Sequence, residues 1–178
     1  MINNQLINPQ SIVVIGASND LRKAGGKMLH NIISGSFKGE LMVVNPRESQ
    51  VQGLHAFAEI EALPDVELAI LAIPAKACPD TIKYLAANKN CKAFIVISAG
   101  FSELNEAGEE LEQQMIDVAN EYQAALAGPN CIGILNANYQ GVFTTPIPTL
   151  DAKQGCELIS SWIVTSPEIP SVQLATVL

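Results

Sequence analysis

The residues of this chain best suited to chemistry are glycines and small polar side chains clustered at one turn: Gly16, Ala17, Ser18, Asn19 and Asp20, followed by Lys23, Gly25 and Gly26. The chemistry they suit is the holding of an anion. Gly16 lets the backbone turn sharply, Ser18 and Asn19 offer caps to a following helix, and a helix N-terminus presents unpaired N–H groups with a partial positive charge. A phosphate fits such an end. The spacing departs from G-x-G-x-x-G, because Ser18 stands two residues after Gly16 and the next glycines are Gly25 and Gly26. The dinucleotide fingerprint is therefore incomplete.

Side chains that could transfer groups are few. The cysteines, Cys78, Cys91, Cys131 and Cys156, form no C-x-x-C pair and have no histidine at ligand spacing, so they read as free thiols with no metal site. Cys131 follows Asn130 without an adjacent base, which makes it a small buried residue and not a nucleophile. His30 falls within the first helix and His55 after the second strand, and neither is read as catalytic. The acids Glu103, Glu106, Glu109, Glu110 and Glu112 mark a helix N-terminus, where the dipole favours them.

The elements that must position the turn follow a repeating pattern. Ser11-Ile12-Val13-Val14-Ile15 is a buried strand, and Met28, Leu29, Ile32 and Ile33 recur at helical spacing before Ser34-Gly35. Glu40-Leu41-Met42-Val43-Val44 is a second strand ending in Asn45-Pro46-Arg47, where an NAD-binding domain usually carries an acid for the ribose hydroxyls. Asn45 and Arg47 suit a phosphorylated ribose instead. A short helix is expected near residues 59–63. Val66 to Ile73 is too apolar for simple alternation, as a strand covered on both faces should be, and it ends in Pro74. A helix starts at Cys78-Pro79-Asp80, a strand at Ala93 ends in Ile97-Ser98-Ala99-Gly100, and a helix through Leu111, Met115 and Ala119 leads to a short strand ending at Gly128-Pro129-Asn130. Five strands thus alternate with helices and carry small or polar residues at their C-terminal ends, the edge at which open parallel sheets bind ligands. Past Asn130 the rhythm breaks. Irregular structure or an antiparallel edge strand is expected there, with a last strand at 156–160 and an apolar tail from Ser161 to Leu178.

Composition narrows the class. With 178 residues, 48% of them hydrophobic and 5% aromatic, the chain suits one α/β domain with an appendage. A formal charge of -8 argues against wrapping nucleic acid, yet Arg22, Lys23, Lys27 and Arg47 suffice locally for a small anion. No apolar run is long enough to span a bilayer and no leader pattern opens the chain, so the expectation is a cytoplasmic protein with no membrane contact.

Five pieces in order, Val13-Ile15-Gly16-Ala17-Ser18 with Lys23 and Gly25, then Val44-Asn45-Pro46, Ile73-Pro74-Ala75, Ser98-Ala99-Gly100-Phe101 and Gly128-Pro129-Asn130-Cys131-Ile132-Gly133, resemble the CoA-binding domain of NDP-forming acyl-CoA synthetases. The α subunit of ADP-forming acetyl-CoA synthetase is the nearest likeness and succinyl-CoA synthetase a more distant one. The likeness spans residues 6–160. It implies a Rossmann-like open parallel sheet with flanking helices and an irregular C-terminal extension, with coenzyme A as cofactor. Residues 1–160 would form the CoA-binding domain, and 161–178 the truncated or altered start of a second domain.

On this likeness Gly16 shapes the turn, and Ala17, Ser18, Asn19 and Asp20 contact CoA from it, with Lys23 near a phosphate. Asn45, Pro46 and Arg47 sit by the adenosine end. Ile73, Pro74, Ile97, Ser98 and Ala99 line the rest, and Asn130 lies near the thiol end. The family interconverts acyl-CoA, ADP and phosphate with acid, CoA and ATP through a phosphohistidine on a second domain and an ATP-grasp domain or subunit. Neither His30 nor His55 matches that histidine, so the expectation is a chain that binds CoA or acyl-CoA without catalysing on its own. A homo-oligomer is a further expectation, from the apolar tail. Two other functions stay open, a CoA-sensing regulatory module and an NAD(P)-binding domain.

Overall fold

The computed structural model describes residues 2–35 and 37–144. A short helix, α1 (Asn4–Ile7), is capped by Asn3, whose side chain accepts from the Leu6 N–H. Strand β1 (Ser11–Ile15) follows and is buried throughout. Its β-branched side chains alternate between two cores. Ile12 and Val14 pack with Met28, Leu29 and Ile32 on one face, and Val13 and Ile15 pack with Ile82, Leu85 and Met115 on the other. A strand covered on both faces needs apolar residues at every position, which explains the uninterrupted run.

After β1 the chain makes helix α2 (Ala24–Ser34), strand β2 (Glu40–Val44), a hairpin of β3 (Gln50–Val51) and β4 (Leu54–Phe57), and a single 3-10 turn over Ile60–Ala62. Strand β5 (Leu68–Leu71), helix α3 (Cys78–Asn88), strand β6 (Ala93–Val96), helix α4 (Glu106–Glu121) and strand β7 (Ala125–Ala127) complete the alternation. The main sheet runs β3-β4-β2-β1-β5-β6-β7. Every neighbouring pair is parallel except β3 with β4. Leaving out β3, this is the doubly wound Rossmann order, with its topological switch between β1 and β5.

Two elements differ from the sequence reading. The five alternating strands are joined by the β3–β4 hairpin, which lengthens the sheet beyond β2. Its turn places Gln52 at φ 49° and Gly53 at φ 86°, both left-handed, as a tight two-residue hairpin requires. The break after Asn130 does hold antiparallel strands, β8 (Gly133–Leu135) and β9 (Gln140–Val142), but they form their own ribbon and not an edge of the main sheet. The expected strand at 156–160 and the tail from Ser161 lie outside the described residues.

Polar contacts hold the ribbon over α2 and α1. Asn31 is buried on α2 and donates from Nδ2 to the carbonyls of Val142, at 2.6 Å, and Thr144, at 3.1 Å. The buried Tyr139 hydroxyl donates to the Leu6 carbonyl at 2.7 Å, and Asn136 Nδ2 to the Ile7 carbonyl at 2.9 Å. Asn31→Ala leaves two carbonyls without that donor and should lower stability by about 1–3 kcal/mol in urea unfolding. An unchanged midpoint would show that the ribbon does not depend on this bracket.

Candidate functional site

The register of the parallel strands aligns their C-terminal ends. Ile15 pairs with Val44 on one side and Leu71 on the other, and Leu71 pairs with Val96. The ladder extends one residue further, through Gly16 N–H to the Val44 carbonyl, Ala72 N–H to that of Ile15 and Ile97 N–H to that of Leu71. Gly16, Asn45, Ala72 and Ile97 therefore stand at one level, and the segments that follow them share one edge of the sheet.

At the switch point the backbone approaches itself too closely for side chains. Gly16 is left-handed, with φ 84°, and a Cβ there would lie 2.3 Å from the Ala72 carbonyl oxygen. A Cβ on Gly25 would lie 2.2 Å from the Gly16 carbonyl oxygen, and one on Gly26 would lie 2.2 Å from that of Asp20. The start of α2 thus packs directly on the turn after β1. In the dinucleotide fingerprint the last glycine permits this helix–strand contact; here Gly25 does so from a more distant position, because α2 begins only at Ala24.

The late start corrects the expected capping. Lys23 holds the N-cap position and makes no side-chain capping bond. Ser18 Oγ instead accepts from the Asp20 N–H at 3.1 Å, inside the loop. Asn19 turns to the hairpin: its Nδ2 donates to the Gln50 carbonyl at 3.1 Å and to the Glu48 carboxylate, and its Oδ1 accepts from the Gln52 N–H at 2.7 Å. Asp20 accepts from the Arg22 guanidinium through Nε at 2.9 Å and Nη2 at 3.0 Å. That side-chain bond, with the Arg22 N–H beside it, draws the Asp20 carboxyl down to about 2.

Asn45 is also engaged by the fold. Its Nδ2 donates to the Ala17 carbonyl at 2.9 Å, while its Oδ1 accepts from the N–H groups of Arg47 and Glu48. Pro46 and Arg47 are exposed beside it. The side chains of Arg47 and Lys23 form no hydrogen bond or ion pair among the described residues.

Across the edge, Ile73 is half-buried and Pro74 exposed, Ile97 is buried and Ala99 exposed. Ser98 donates from Oγ to the Ile73 carbonyl at 2.5 Å, and its own carbonyl accepts from the Asn130 N–H at 2.9 Å. Asn130 is exposed and left-handed, with φ 51°. The structure therefore brings every expected site residue to one sheet edge, but assigns the polar groups of Ser18, Asn19, Asp20 and Asn45 to the loops themselves.

Two contributors were missed. Gln52, at the hairpin turn, donates from Nε2 to the Ser18 and Gly26 carbonyls, each at 2.8 Å. The Gln52-Gly53 pair between β-forming residues was a signal for that turn. Glu103 precedes α4 and accepts from the Gly100 N–H at 2.5 Å and the Phe101 N–H at 3.2 Å. Burial works to raise its pKa, but these backbone donors hold the carboxyl below its ordinary value.

No described side chain at this edge is a poised nucleophile. His30 and His55 are exposed, on α2 and β4, and neither forms an ion pair among the described residues. Among the described residues no cluster of His, Cys, Asp or Glu could hold a metal. The described thiols are buried, and burial pushes Cys78 up to about 11 and Cys91 and Cys131 up to about 12.

These strand ends match a known family. The family model described as a CoA binding domain covers residues 10–137. The chain belongs to the CoA binding domain family. Coenzyme A, the expected cofactor, agrees with that membership, and the open parallel sheet with flanking helices agrees with the expected fold. The α subunit of acetate–CoA ligase [ADP-forming] II from Pyrococcus furiosus is 38% identical over 141 residues, or 78% of this chain and 30% of that protein. Trans-feruloyl-CoA synthase FCS1, from an unknown prokaryotic organism, is 37% identical over 75% of this chain and 19% of its own length. The solved dinucleotide forming acetyl-coenzyme A synthetase 1 of Ca. Korarchaeum cryptofilum, in complex with phosphate and ADP, superposes with a TM-score of 0.75 at 32% identity, over 83% of this chain and 32% of that one. The chain thus spans between a fifth and a third of the length of these relatives. Among the described residues no helix is long and apolar enough to cross a membrane.

The buried thiols of this CoA-binding domain give its stability an alkaline limit. An exposed thiol ionises near about 8.5, so above that pH the unfolded chain releases protons that the folded chain retains. Stability should therefore fall as pH rises from about 8.5 toward 11, by at most about 1.4 kcal/mol per pH unit for each thiol. Urea unfolding at pH 8, 9 and 10 checks this, and Cys91→Ala should flatten the decline. An equally steep decline in the variant would assign it to other groups.

Proposed function

We propose that the C-terminal edge of the sheet holds coenzyme A across the switch point, and that the chain is the CoA-binding part of an ADP-forming acyl-CoA synthetase. The observation that carries the reading is the close packing of the start of α2 on the turn after β1, which Gly16, Gly25 and Gly26 permit, at the level of the other strand ends. Backbone N–H groups at such a turn can approach a phosphate closely.

The residues along the edge fit the parts of the cofactor. Arg47 and Lys23, exposed and unpaired among the described residues, supply positive charge where the adenosine phosphates would lie. Ile73, Pro74 and Ala99 offer an apolar wall for the pantetheine arm. Asn130, on the loop tied to Ser98, stands where the thiol end would come. Asn45, Asn19 and Asp20 act by fixing the loops and not by direct contact.

The reaction itself, acyl-CoA with ADP and phosphate to acid, CoA and ATP, draws on a phosphohistidine domain and an ATP-grasp domain or subunit. The described edge supplies binding and orientation. On this reading residues 1–160 are the CoA-binding unit and 161–178 lead toward a second domain. The chain alone, given acetyl-CoA, ADP and phosphate, should form no ATP, and turnover by it would overturn this division.

Ligand choice tests the binding site directly. CoA carries a ribose 3′-phosphate that dephospho-CoA and NAD lack, and a charge-assisted contact contributes about 1.5–3 kcal/mol. Calorimetry should rank CoA over dephospho-CoA over NAD. Arg47→Ala should weaken CoA roughly tenfold while leaving dephospho-CoA little changed, and Gly16→Val should abolish all three. NAD binding as tightly as CoA would move the site to a dinucleotide reading.

A further inference from the structure

The β3–β4 hairpin lies outside the five strand ends that form the edge, yet its tip holds the anion loop at both ends. The Gln52 amide has two N–H bonds, and both are used: one carbonyl it meets, Ser18, follows β1, and the other, Gly26, is in the first turn of α2. The Gln52 backbone N–H bonds Asn19 Oδ1, and Asn19 Nδ2 returns a bond to the Gln50 carbonyl. The hairpin tip is thus joined to the loop by four hydrogen bonds, two from one side chain.

We infer that Gln52 is a positioning residue for the ligand, fixing the 17–23 loop in its anion-binding form through the Ser18 and Gly26 carbonyls. The peptide plane supplies the physical link. Because a trans peptide is planar, drawing the Ser18 carbonyl toward Gln52 turns the Asn19 N–H to the opposite side. That N–H has no hydrogen-bond partner among the described residues. It is a donor held in place by a bond made on the other side of its own peptide, and a held donor loses less freedom when an anion arrives. Gln52 itself sits at φ 49°, a conformation that favours glycine, so its side chain is kept there against a backbone preference.

That backbone preference separates a positioning role from a structural one. Gln52→Gly removes both amide donors but relaxes the turn, which offsets part of the loss, so its urea midpoint should fall less than that of Asn31→Ala while the Kd for CoA rises about tenfold. Gln52→Glu, which places a carboxylate against two carbonyl oxygens, should bind CoA more weakly still. In the unliganded chain, amide exchange over residues 17–23 should accelerate in Gln52→Gly with no change in β1 and β5. The inference rests on the CoA reading for its ligand, and the exchange measurement separates the two. A wild-type chain that fails to bind CoA overturns the functional reading, while loop exchange still tests Gln52. Wild-type affinity and loop protection in Gln52→Gly, or a fall in midpoint as large as that of Asn31→Ala, would overturn the positioning role.

Discussion

The structure depends on one close approach, in which the start of α2 rests on the turn after β1 and that turn rests on the end of β5. The Gly25 position faces the Gly16 carbonyl, and the Gly16 position faces the Ala72 carbonyl, each nearer than any Cβ could stand. Because β1 lies at the centre of the sheet, this contact fixes the level at which both halves of the fold end. Glycine in a helix costs about 1 kcal/mol relative to alanine. Two consecutive glycines in the first turn of α2 are therefore a local weakness, offset by the buried contacts that Met28, Leu29 and Ile32 make further along the same helix.

A net charge of -8 runs against binding a polyanion, and the local arrangement resolves it. At about 0.15 M ionic strength, exposed charges are screened beyond about 8 Å. On the proposed reading, acids more than that distance away count for little against a cation beside the ligand. Near the loop the acids are themselves neutralised or engaged. Asp20 is paired with Arg22, and Glu48 with the Asn19 amide. Arg47 and Lys23, both exposed, and the half-buried Lys27 are then left without a hydrogen bond or ion pair from their side chains among the described residues of that region.

Much of this was legible in the sequence, for physical reasons that also explain the gaps. The runs at Ser11 to Ile15, Leu68 to Leu71 and Ala93 to Val96 read as strands because burial on both faces leaves no room for polar residues. Gly16 read as the turn for the same reason that it is needed there. The start of α2 was harder to see. Ser18 and Asn19 have the chemistry of N-caps, yet the caps they might have formed lie within an eight-residue span between strand and helix, whose bonds are mostly long-range. The hairpin was missed because two-residue strands carry almost no periodicity, and its partner β4 is half exposed. Asn45 was placed correctly at the edge, but no local pattern shows that its amide reaches back to Ala17.

The Asn45 amide is one of several polar groups at this edge that are committed to the fold. The side chains of Asn19 and Asn45, expected at the ligand, are hydrogen-bonded to carbonyls and N–H groups of the loops, so the chain's own bonds fix these loops. On the proposed reading, a ligand at this edge meets backbone donors already held in place, together with the exposed cations at the rim. An edge built this way should tolerate change at exposed positions such as Pro46, while a side chain at Gly16 or Gly25 displaces α2 from the turn after β1. A surface made of fixed backbone and small side chains can hold and orient a ligand without any movable reactive group of its own, which is the part the proposed function gives to this edge.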